Sequence, residues 1–82
     1  MKQPKLISSE IKNPTYLEKV FFFPEVNDNP NGEEFIIRIY DDMSYTFHFG
    51  DGLQIDTSFS NDDFLDDWKK YTDVILKECN LE

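Results

Sequence analysis

Three short runs of alternating apolar residues, separated by two turn-forming clusters, constrain this chain more than any other feature. Phe35, Ile37 and Ile39 alternate with Ile36, Arg38 and Tyr40. Tyr45, Phe47 and Phe49 alternate with Thr46 and His48, and Leu53 and Ile55 with Gln54 and Asp56. A period of two sends successive side chains to opposite faces of a strand. Asp41-Asp42-Met43-Ser44 and Gly50-Asp51-Gly52 supply the residue types that reverse a chain. Such runs joined by short turns predict an antiparallel meander. One face would be aromatic and aliphatic. The other is mixed (Ile36, Arg38, Tyr40, Thr46, His48, Gln54 and Asp56), as expected of a face left wet.

The flanking segments complete the expectation. Tyr16–Phe23 reads as a further strand, apolar on both faces and stopped by Pro24, which cannot donate to a ladder. A first helical turn over Thr15–Lys19 is the alternative there. Residues 1–14 carry Pro4, Pro14 and a weak apolar pattern of Leu6, Ile7 and Ile11. They read as a loosely ordered arm, with a short strand or a turn of helix as alternatives. After Ser60 or Asn61 as N-cap, Phe64, Trp68, Tyr71, Ile75 and Cys79 fall on one helical stripe. Asp63 is placed for a capping box. The predicted fold is α+β: an antiparallel three- or four-stranded β-meander with one C-terminal amphipathic helix packed on one face. Residues 1–82 are expected to form a single small domain.

Several chemistries find no footing. With Cys79 the lone cysteine and His48 the lone histidine, no zinc-ligand spacing exists. A calcium loop read from Asn27 would need a bidentate Glu where Arg38 stands. Gly50-Asp51-Gly52 lacks the Lys and Ser/Thr of a phosphate loop. Asp41, Asp42 and Asp51 could chelate a hard cation only weakly. No cofactor or metal is therefore expected. The longest apolar run, Val20–Phe23, is far short of the ~20 residues that span a bilayer. One thiol and no leader-like segment lead to the expectation of a reducing, cytoplasmic setting.

Charge is the compositional outlier. The chain carries −9, but residues 1–20 hold +2 and residues 21–82 hold −11. Such a surface repels nucleic acid and anionic membrane and attracts basic partners. Asp62, Asp63, Asp66 and Asp67 crowd two helical turns, where the dipole favours anions, and Asp56 extends the patch. These five are the first candidate site. The chain is thus expected to be a non-enzymatic protein-binding module, monomeric or homodimeric, whose sharpest form is a nucleic-acid-mimicking inhibitor of a basic protein. In size and charge it looks like the small acidic anti-defence proteins of phages and mobile elements, although no motif carries that likeness. Ile36, Arg38, Tyr40 and His48 form an alternative surface for a subunit or self-association. An enzyme centred on His48 is the remaining alternative, and it requires a carboxylate or Thr46 beside the ring. Cys79, on the apolar stripe, reads as a small buried hydrophobe.

Overall fold

A computed structural model describes residues 3–12, 15–26, 30–55 and 63–81, and the side chains of 63–68 lie outside that description. Among the described residues five strands form one sheet in chain order, every neighbour antiparallel. They are β1 (Lys5–Lys12), β2 (Tyr16–Phe23), β3 (Glu33–Tyr40), β4 (Tyr45–Phe49) and β5 (Gln54–Ile55), followed by the helix α1 (Asp63–Glu78). The α+β class thus stands, but the sheet has five strands rather than three or four. The fifth is β1, a strand where a loose arm was expected. Its own pattern is weak, but β2 would otherwise leave a row of backbone groups without ladder partners. Pairing from Lys5↔Phe22 to Lys12↔Tyr16 fills that row, with a bulge at Ile7.

The two tight turns are the same structure built twice. In the first, Met43 N–H donates to Tyr40 O (2.9 Å) and Tyr40 N–H to Ser44 O (2.8 Å). In the second, Gly52 N–H donates to Phe49 O (2.8 Å) and Phe49 N–H to Leu53 O (2.9 Å). Each is a three-residue connection whose third residue is left-handed: Met43 at φ 70° and Gly52 at φ 93°. The second residue is an aspartate both times. Asp42 Oδ1 accepts from Ser44 N–H (2.9 Å) and from its hydroxyl (2.6 Å), and Asp51 Oδ1 accepts from Leu53 N–H (2.9 Å). Both carboxylates therefore lock turns, and among the described residues no acidic or His/Cys cluster could hold a metal.

Phe21, Phe23, Phe35, Ile37, Phe47 and Ile55 project to one face of the sheet and are buried there with Val26, Tyr71 and Ile75. Tyr71 stacks on Phe35 (5.7 Å, 13°) and meets Phe23 edge-on (5.1 Å). Each fully buried Phe or Ile contributes about 1.5–3 kcal/mol. Of the expected helical stripe, Tyr71 and Ile75 are buried and Cys79 is half-buried against the core, whereas Phe64 and Trp68 lie outside the described side chains. The helix ends without glycine. Asn80 takes the left-handed conformation (φ 57°), Leu81 N–H donates to Leu76 O (2.9 Å) and Asn80 N–H to Lys77 O (3.2 Å). That is a Schellman closure, and its hydrophobic pair, Leu76 and Leu81, packs against the core.

Candidate interaction surfaces

Register dictates what the sheet presents on the face away from α1. Across β2 and β3, Tyr16 pairs with Tyr40, Glu18 with Arg38 and Val20 with Ile36. On β4, Thr46 lies opposite Arg38 and His48 opposite Ile36. Ile36, Arg38, Tyr40 and His48 are therefore brought together as expected. They do not form a wet patch. Ile36 is 9 % exposed and His48 6 %. The Arg38 guanidinium donates to Glu18 (3.2 Å) and lies over the Tyr16 ring (5.4 Å), which in turn packs against Tyr40 (5.6 Å). The expectation of a face left wet is thus corrected at His48 and Ile36, which are buried.

The His48 ring has a defined tautomer. Nδ1 lies 3.2 Å from Gly52 O, an atom that can only accept, so Nδ1 carries the proton. In the neutral ring Nε2, 2.9 Å from Thr46 Oγ1, then accepts, and the Thr46 hydroxyl donates to it. With its proton committed, Thr46 Oγ1 accepts from Tyr40 OH (3.3 Å). A directed chain runs Tyr40 → Thr46 → His48 → Gly52. Burial pushes the His48 pKa down, and the Arg38 charge adds to that, against the opposing pull of the Gly52 carbonyl. The imidazole is held neutral by what surrounds it. A general base needs a ring nitrogen turned toward substrate. Both nitrogens of His48 are engaged within the protein, so this arrangement lends the enzymatic alternative no support.

The acidic candidates stand differently. Asp63, Asp66 and Asp67 belong to α1, but their side chains, and all of Asp56 and Asp62, lie outside the described residues. The described acids at the sheet's turns, Asp41, Asp42 and Asp51, are exposed, as are Glu34, Asp73 and Glu78. Burial lifts the pKa of the Cys79 thiol above its usual value.

Two groups escaped the sequence reading. Tyr16 and Glu18 pack against and pair with the far-face residues Tyr40 and Arg38, and only the β2–β3 register reveals it. On the helix side, Ile11, Leu17, Ile39 and Tyr45 form one row across four strands. Ile11 is 79 % exposed and Tyr45 39 %. No helix is long and apolar enough to cross a membrane among the described residues. No protein-family model matches the chain, and neither a curated protein nor a solved structure matches it.

Proposed function

We propose that this chain is a small non-enzymatic module that binds a basic partner protein through its acidic surface. The observation that carries this reading is the separation of charge, +2 over residues 1–20 against −11 over residues 21–82. In support, the described turn and helix acids stand in solvent, while Arg38 is already paired with Glu18. Asp56, Asp62, Asp63, Asp66 and Asp67 are the core of the proposed contact, a series of charges able to imitate nucleic-acid phosphates in a basic groove. The far-face alternative is less favoured, because Ile36, Arg38, Tyr40 and His48 spend their binding capacity on one another.

Capture from native-host extract at low and at high salt tests the reading. Partners retained at low salt and lost steeply as salt rises are expected, because charge contacts are screened. Asp62→Lys with Asp66→Lys should weaken retention of the same partner while the circular dichroism spectrum is kept. Unchanged affinity in that double variant removes the mimicry.

A further inference from the structure

The backbone hydrogen bonds of the two turns fix which groups the sheet's long edge leaves open. Phe49 N–H bonds across to Leu53 O, so Phe49 turns its backbone groups toward β5 and His48 and Thr46 turn theirs toward β3. Tyr40 N–H bonds to Ser44 O, which agrees with Ile36, Arg38 and Tyr40 facing β4. Alternation then assigns Leu17 and Lys19 to the β3 side, and Tyr16, Glu18 and Val20 to the β1 side. On β1, Ser8, Glu10 and Lys12 pair inward with those three. Ser9 and Ile11 are left with N–H and C=O directed outward. Among the described residues no strand lies beyond β1.

We infer that this edge is a docking site for a second copy of the chain, paired antiparallel through β1 with Ile11 opposite Ile11 about a two-fold axis. Three observations select that occupant and register. A two-fold axis at Ile11 sets Lys12 opposite the partner's Glu10, and Glu10 opposite its Lys12, so opposite charges face each other twice. An axis at Glu10 would instead set two carboxylates together. Second, Ile11 ends the apolar row of half-buried Leu17 and Ile39 and exposed Tyr45. The Ile11 pairing continues that row into its symmetry mate, covering the most exposed large hydrophobic of the described chain. Third, copies of a chain of −9 repel least where the facing charge is small, and β1, with Lys5, Glu10 and Lys12, carries only +1 against the −11 of residues 21–82. The bulge at Ile7 and the exposed Lys5 discourage pairing further along, which confines the ladder to the part after Ser8 and keeps it from growing into a fibre. In the single chain Lys12 Nζ satisfies Glu10 of its own strand at 2.8 Å, so dimerisation exchanges the two intrachain ion pairs, one from each copy, for two across the axis. This surface is separate from the acidic contact proposed above, and either can fail alone.

Sedimentation of the full chain over a range of concentrations is the test. The wild type should shift from the mass of one chain, 9.8 kDa, toward twice that value. Ile11→Pro removes an N–H that points away from β2, so the fold should survive, confirmed by its urea midpoint, and the shift should disappear. Lys12→Glu, which sets like charges across the axis, should weaken association at least about tenfold. Adding Glu10→Lys to it restores the opposite pairing and should restore association. A wild-type mass that stays at one chain up to about 1 mM overturns the proposal. So does association unaffected by Ile11→Pro, or a folded double variant that fails to recover.

Discussion

Because the same turn is made twice with different residues at its left-handed position, the protein contains its own template for a stabilising substitution. Met43 adopts φ 70° where its counterpart is Gly52 at φ 93°. A side chain in that region costs about 1–2 kcal/mol through the approach of Cβ to the carbonyl. Met43 is 63 % exposed, so its removal gives up little packing. Glycine's extra freedom in the unfolded chain takes back about 0.4–1 kcal/mol. Met43→Gly is therefore expected to stabilise the fold by about 0.5–1 kcal/mol, raising Tm by about 2–8 °C. Gly52→Ala should move stability by a similar amount in the other direction. A Cβ there meets nothing within 4 Å, so backbone conformation is the whole effect. Gly32→Ala is the contrast. It sits at φ 79°, and its Cβ would collide with the Phe23 carbonyl oxygen, with Phe22 Cζ at 2.8 Å and with the Pro24 carbonyl carbon at 2.9 Å. Strain and overpacking together make its loss about 2–5 kcal/mol. Urea unfolding followed by circular dichroism measures all three, with the m-value checked for constancy. A Met43→Gly variant no more stable than wild type, beside a destabilised Gly52→Ala, would refute the reasoning, since the two turns would then not be equivalent.

Further expectations follow from the core and the titratable groups. Ile75 is fully buried between α1 and the sheet, so Ile75→Ala should cost about 2–5 kcal/mol, read as a lowered urea midpoint; a loss below about 1 kcal/mol would mean that the helix is not packed there. His48 is held neutral, its folded pKa below the ordinary 6.5. The unfolded chain then takes up a proton first as pH falls, so stability is full above about 6.5 and declines below it toward the folded pKa. Comparing wild type with His48→Gln at about pH 8 and about pH 5 isolates this contribution, and parallel loss in both would assign the pH dependence to other groups. Cys79, its thiol raised by burial, should react with an aromatic disulfide reagent more slowly when folded than in urea; equal rates would show it to be freely accessible.

The meander was legible because one face of Phe35–Ile55 is consistently apolar at a period of two and its turn residues are diagnostic. Strand β2 was legible from Pro24 and its apolar run. Strand β1 was not, because Lys5–Lys12 is held by the partner it pairs with rather than by propensity of its own. The residues of the far face were found, but their character was misjudged. Alternation says which side of a sheet a residue takes and nothing of how tightly its neighbours close over it. Glu18 lies twenty residues from Arg38, and no local pattern joins them. The acidic cluster was read from sequence, and its described part is the backbone of Asp63, Asp66 and Asp67 in α1.

Strand order equal to chain order has a kinetic consequence. Every ladder joins a strand to its immediate predecessor, so each pairing closes only the loop between them and little chain entropy is lost before contacts repay it. The sheet can grow outward from one nucleus, and β3–β4 is the natural one, since its turn is locked by Asp42 and its strands carry Phe35, Ile37 and Phe47. Hairpins of this kind form in about 1–10 μs. Among the described residues the docking of α1 over Phe23 and Phe35 is the contact most distant along the chain, which makes it the step expected to come last and to limit the folding rate.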